Sequence, residues 1–237
     1  PMLESPWTYR ASDKQHYFIN RGMPYRETET FELVREKDGW SLEPVVTGAT
    51  DRTWVDRSGD FYIFNTDRFR GERDICVVRK TGGRLPAELK RTHFHPDLGV
   101  GGVIEGTHVV GPWIVLHNKA NVVSELWVSR LDDGSNATQI ELPGPGTISG
   151  ISTRAGDTRI WFRFESYSTP PTTYVCDLAD PHHTLKSEQQ LPTTIAVDDL
   201  VSEQTTYKSK DGTDVPIFIL RHKDTPLDGT APTVLYG

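Results

Sequence analysis

Nothing in these 237 residues is long and apolar enough to span a bilayer as a helix, since no run approaches the roughly 20 residues required. The opening Pro1-Met2-Leu3-Glu4 lacks the basic-then-apolar pattern of a secretory signal, so the cytoplasm is the expected address. A basic face is missing too. Lys and Arg total 26 against 33 Asp and Glu, a formal net charge of −7, which argues against the phosphate-neutralising surface that a nucleic-acid binder needs. Cysteine is scarce: Cys76 and Cys176 stand alone in strand-like sequence, and no Cys-His spacing supports a metal site. They read as two buried thiols rather than a disulfide or ligands. Helical period is absent as well, with no segment of about a dozen residues carrying apolar positions at helix spacing.

What the chain has instead is a series of short strands cut by Gly, Pro, Asn and Asp turns. Pro1 to Arg10 reads as a ragged start. Strands are expected at Gln15–Arg21, Thr28–Arg35, Trp40–Val46, Thr53–Asp56, Phe61–Asn65, Asp74–Lys80 and Val103–Val110. The series continues at Trp113–Asn118, Ser124–Leu131, Gln139–Leu142, Ile148–Thr153, Arg159–Glu165 and Thr173–Leu178. The run FYIFN at Phe61 is too apolar for a sheet with one wet face and reads as an inner strand buried on both sides. At the far end, Val215–Leu220 and Thr233–Tyr236 read as two more strands, separated by a polar excursion.

A long period runs through this series. The apolar runs at Phe61, Trp113 and Arg159 recur about fifty residues apart, the length of a four-stranded β-propeller blade. A β-sandwich supplies the strands without that period, so the propeller is the favoured all-β architecture.

Several segments carry a resemblance. Ser209-Lys210-Asp211-Gly212-Thr213, Val215-Pro216-Ile217-Phe218, Asp228-Gly229, Pro232 and Leu235-Tyr236-Gly237 follow one another as in prolyl oligopeptidases, where propeller passes into α/β-hydrolase domain. Phe164-Glu165-Ser166-Tyr167-Ser168-Thr169-Pro170, then Tyr174, Asp177 and Leu178, are similar to another segment of that family. Ser58-Gly59 followed by Phe61–Thr66 resembles one of its blade strands. The resemblance thins upstream of Thr53. It implies a partial propeller over residues 1–200, about three to four four-stranded blades of the family's seven. It also implies the first strands of an α/β-hydrolase domain over 201–237, with the boundary near Val197–Gln204. In the family, Leu-Tyr-Gly is followed by an oxyanion-stabilising Tyr, so the chain is expected to end one residue short of it.

The chemistry must then lie elsewhere. An α/β-hydrolase presents its nucleophile in Gly-x-Ser-x-Gly, and none occurs. Gly146-Thr147-Ile148-Ser149-Gly150 comes nearest, with the wrong spacing and between strands, so Ser149 reads as structural. The Asp and His of a triad follow the serine in this fold and are expected beyond Gly237. His93-x-His95 forms at most half a metal site and His182-His183 lies in a loop, so no metal and no cofactor are expected. The glycines from Gly99 to Gly106 lead into a strand, which rules out a phosphate loop.

One residue is singled out for substrate by the resemblance. Family members place an Arg at the end of a blade strand, facing the cavity between propeller and hydrolase. In Phe18-Ile19-Asn20-Arg21-Gly22 that place falls to Arg21, whose planar fork suits a substrate carbonyl; a solvated loop Arg is the alternative. The implied whole is a serine endopeptidase cleaving short peptides after proline. Its partners would be a proline-containing oligopeptide and the hydrolase domain, with neither nucleic acid nor membrane. This chain alone is expected to be inactive. A stand-alone propeller used as a binding module is the alternative.

Overall fold

The computed structural model describes residues 7–11, 17–22, 28–49, 53–67, 74–80, 102–154, 156–193 and 197–236, excepting the side chains of 7–11, 17, 19–22, 28, 48 and 49. Regular structure there is β throughout, apart from one 3-10 turn at Val197–Asp199. Strands β1 (Trp7–Ala11), β2 (Tyr17–Gly22), β3 (Thr28–Glu36) and β4 (Gly39–Ala49) form a four-stranded antiparallel meander. β5 (Thr53–Ser58), β6 (Phe61–Thr66) and β7 (Asp74–Arg79) make a three-stranded sheet. β8 (Val103–Val110), β9 (Trp113–Ala120), β10 (Val123–Arg130) and β11 (Thr138–Ile140) form the third sheet. The fourth contains β12 (Thr147–Thr153), β13 (Arg159–Glu165), β14 (Thr172–Asp177) and β15 (Leu185–Gln190), again in chain order. A hairpin of β16 (Leu200–Lys208) and β17 (Asp214–His222) follows.

The chain divides into two compact units. One takes Pro1–Leu98, Pro112–Ile114 and Val128–Thr138, the other Gly99–Gly111, Val115–Trp127 and Gln139–Gly237. In the first, Phe18, Val55, Tyr62, Phe64 and Cys76 form a buried cluster, with Val45, Val46 and Val78 packed against it. Phe18 meets Tyr62 edge to face at 6.4 Å between ring centroids. Each such side chain withdrawn from water stabilises the fold by about 1.5–3 kcal/mol. The expectation for FYIFN holds: Tyr62 to Thr66 are all buried, and β6 is the middle strand of its sheet.

In the second unit β13 alternates cleanly, with Ile160, Phe162 and Phe164 buried on one face. Phe162 stacks on Tyr174 at 6.0 Å and Phe164 meets it edge-on at 6.3 Å. Gly146 sits so close that a Cβ there would lie 2.4 Å from Phe164 Cζ and 2.5 Å from the Glu165 carbonyl oxygen. Only glycine fits. Gly150 serves differently: with φ at +62° it lies in the register shift between Ser149 and Ser152 where β12 pairs with β13.

The period reaches further upstream than the sequence suggested. Second strands begin at Tyr17, Phe61, Trp113 and Arg159, so the four-stranded unit is present before Thr53. The supposed ragged start contains β1, paired with β2 from Trp7↔Arg21 to Ala11↔Tyr17. β15 and β16 were also not anticipated, because both are polar and carry no alternation. The expected strand at Thr233–Tyr236 does not form. Val234, Leu235 and Tyr236 are exposed and have no strand partner among the described residues, and an extended segment without a ladder is not a strand.

Candidate functional site

Arg21 is the penultimate residue of β2, paired with Trp7 on one side and Glu29 on the other, just before the connection to β3. Its side chain lies outside the described residues, as do His93 and His95. His182 and His183 occupy the loop between β14 and β15, tied down by Asp180: its carboxylate accepts from the His182 and Thr184 backbone N–H groups. His183 keeps a buried Nδ1 without a partner. Among the described residues no three His, Cys, Asp or Glu side chains converge as metal ligands. Both cysteines are buried and neither is in a disulfide, and burial, helped by Asp180 and Asp177, pushes the Cys176 thiol up to about 12.

Ser149 lies exposed in β12 opposite Arg163, in a strand followed by another strand. That geometry exposes no nucleophile. Another serine comes closer to one. His117 Nε2 lies 3.0 Å from Ser124 Oγ, a spacing familiar from nucleophile–base pairs. Yet Ser124 is 2% exposed, and its Oγ already accepts the Ile148 backbone N–H at 3.0 Å. The Ser124 backbone N–H donates to Gly146 O at 2.9 Å. With the Ile148 N–H entering one lone pair, the hydroxyl has a second lone pair and its own proton for His117 Nε2, and the imidazole tautomer sets which of the two donates. Burial lowers both His117 and neighbouring His108, for His117 against the opposing pull of Glu105. The pair joins two strands to a third; it has no access to substrate.

The first unit holds the strongest charge cluster. Glu32 of β3, 1% exposed, accepts from Arg57 on one carboxylate oxygen and from the Tyr62 hydroxyl on the other. Lys80 Nζ stands 4.0 Å from the same carboxylate and 3.0 Å from Glu43. Arg57 also lies over the Tyr62 ring, 5.1 Å from its centroid, and donates through Nε to Gly59 O. Burial and the Glu32 carboxylate hold the Tyr62 phenol far above its ordinary range. Sequence reasoning missed this group because its members lie 25 and 30 residues apart and meet only through strand register. Both oxygens of the Glu32 carboxylate are engaged, so the cluster locks two sheets together.

At one end of each sheet the chain passes from the second strand to the third. In the third sheet this connection is Asn121-Val122, both at positive φ (49° and 64°). In the fourth it is 166–171, organised by Ser166, whose N–H donates to Thr169 O and whose Oγ accepts from Ser168 N–H. The β16–β17 hairpin touches both. Gln204 Nε2 donates to Asn121 O at 2.5 Å, and Tyr167 meets Phe218 at 5.4 Å between ring centroids. Arg21 stands at the corresponding end of its own sheet.

Comparison with known proteins decides which repeat architecture this is. Residues 9–189 match the family model of the prolyl oligopeptidase N-terminal β-propeller domain. The chain belongs to that family. A prolyl endopeptidase of Elizabethkingia meningoseptica is 31% identical over 234 residues, 96% of this chain and 31% of that protein. A dual-function macrocyclase-peptidase of Amanita bisporigera is 36% identical over 124 residues, 50% of this chain and 16% of that protein. The propeller fold is shared with apo prolyl oligopeptidase B of Galerina marginata at a TM-score of 0.75 and 20% identity, covering 95% of this chain and 32% of that one. The same Galerina protein bound to a 35-residue hydrolysis and macrocyclization substrate matches at 0.72 with 21% identity, covering 95% and 32%. The prolyl oligopeptidase propeller seen here thus spans less than a third of the curated relatives it matches. The four meanders are its partial propeller, and the family match begins well before Thr53, where the sequence resemblance had thinned. No described helix is long and apolar enough to cross a membrane.

Proposed function

We propose that this chain is the propeller part of a serine endopeptidase that cleaves short peptides after proline. Residues 1–200 are the propeller share and 201–237 open the α/β-hydrolase domain that carries the triad. The observation that carries the reading is the family match over 9–189, joined to a prolyl endopeptidase relative aligned along 96% of the chain. The β16–β17 hairpin supports it: β17 reads VPIFIL, a run suited to burial on both faces, yet none of its residues is buried here. Such a strand is the opening of a sheet completed by further strands.

Arg21 is then the substrate contact of this part. Its support is topological, since the corresponding turns in the third and fourth sheets meet the hairpin that leads toward the catalytic domain. Its guanidinium would donate to a substrate carbonyl. The partners are a proline-containing oligopeptide and the catalytic domain of the same protein, the compartment is cytoplasmic, and neither nucleic acid nor membrane is bound. The chain alone is inactive, because nucleophile, base and orienting acid belong to the other domain.

The test is complementation. The chain is incubated with a chromogenic Gly-Pro peptide alone, then with a separately produced family catalytic domain. Turnover only in the mixture supports the reading. Turnover by the chain alone contradicts it, and binding of an unrelated protein ligand with no turnover in the mixture favours a separate binding module.

A further inference from the structure

The motif Phe164-Glu165-Ser166-Tyr167-Ser168-Thr169-Pro170 has no task in the chemistry proposed above, yet it builds a specific object. Ser166 closes the loop with its backbone and its hydroxyl, and Thr172 Oγ1 donates to Pro170 O at 2.8 Å. Held this way, Tyr167 is 60% exposed and directed at Phe218 of β17. The neighbouring attachment is also unusual. Asn121 and Val122 make their turn with two positive φ values, a conformation in which β-branched valine is strained. The carbonyl of that turn receives the Gln204 amide. A strained backbone at a contact point invites a functional explanation.

The hairpin so held is otherwise thinly attached. None of its residues in β16 or β17 is buried. Among the described residues, Gln204–Asn121 and Tyr167–Phe218 are its hydrogen-bond and ring contacts with the sheets. Its internal bonding is by contrast complete, with nine paired positions from Leu200↔His222 to Lys208↔Asp214. The hairpin is therefore a stiff arm on a light, two-point mounting, the combination that permits rigid movement about its base without unfolding.

We propose that Tyr167 and the Asn121 carbonyl form a seat in which the β16–β17 arm rests, and that Tyr167 is the positioning residue that sets the arm's orientation. Joined to the function proposed above, the seated arm would fix the catalytic domain's approach to the sheets. The seat stands on this chain's own contacts and is testable without any activity.

Nitroxide labels at Lys186→Cys in β15 and Lys210→Cys at the arm's tip report that orientation, since both native thiols are buried. With Tyr167 intact, the distance distribution should be a single narrow peak. Tyr167→Ala should lose that peak to a broad distribution, Tyr167→Phe should keep it, and Gln204→Ala should broaden it independently. Thermal unfolding of Tyr167→Ala, followed by circular dichroism, should stay at the parent temperature. A Tyr167→Ala distribution as narrow as the parent's overturns the seat. So does broadening accompanied by loss of the fourth sheet's structure, which would make Tyr167 part of the core. Failure of the complementation assay leaves these outcomes untouched.

Discussion

Between the first and second sheets a full negative charge is buried; where the third sheet meets the fourth, in the second unit, the polar groups are neutral. Glu32 is surrounded by Arg57, Tyr62 and Lys80, which together replace the water it lost. Ser124 and His117 meet Ile148 and Gly146 with ordinary hydrogen bonds and two imidazoles kept uncharged by burial. The first junction holds by charge and is vulnerable to losing a partner. The second depends on close approach and is vulnerable to bulk and to protons.

The comparison breaks most sharply at Arg57. Arg57→Met leaves Glu32 buried with only Tyr62 and a more distant Lys80, and should cost about 3 kcal/mol in urea unfolding. Replacing Glu32, Arg57 and Tyr62 together by Leu, Met and Phe should recover most of that loss, since no orphaned charge remains. A triple variant as unstable as Arg57→Met would show that the charges themselves supply the stability. At the neutral junction, Gly146→Ala should cost about 2 kcal/mol, because the added methyl meets the Glu165 carbonyl oxygen at 2.5 Å, where backbone cannot yield.

How much of this was legible follows the same divide. Strands with apolar alternation were found within three residues at either end, β4 being the furthest off, and β8 and β13 to the residue. β15 escaped because five of its six residues are exposed and it is held by ladder bonds to β14, which leave no mark in the sequence. The Glu32 cluster escaped for a different reason. In β3 the buried positions are Thr30 and Glu32, while apolar Phe31 and Leu33 are half-buried, so the pattern gave no hint of the inward face. Arg21 was placed by resemblance alone; it is the penultimate residue of β2, and its side chain lies outside the described residues.

Acid should separate the junctions further. His108 and His117 titrate below their unfolded value of 6.5, so the folded chain resists protonation. Stability is full above that value and declines as pH falls through it toward the folded pKa values, because there the unfolded chain binds more protons. Glu105 and Lys119 are the charged neighbours that act on His117, in opposite directions. Unfolding curves at pH 7.5 and 5.5 should show the decline, and His108→Gln with His117→Gln should flatten it. The smallest effect concerns the thiols. Cys76 and Cys176 should resist a thiol reagent in the folded chain and react on unfolding.

Activity on complementation tests the central claim most directly. The chain, a family catalytic domain and a chromogenic Gly-Pro peptide are combined, and turnover is followed with and without a serine-directed inhibitor. The account predicts none from the chain alone and inhibitor-sensitive turnover from the mixture. If Arg21 holds the substrate as proposed, an Arg21→Ala chain should raise KM with a smaller change in kcat, the signature of lost ground-state binding. Inhibitor-sensitive cleavage by the chain without its partner would contradict the account.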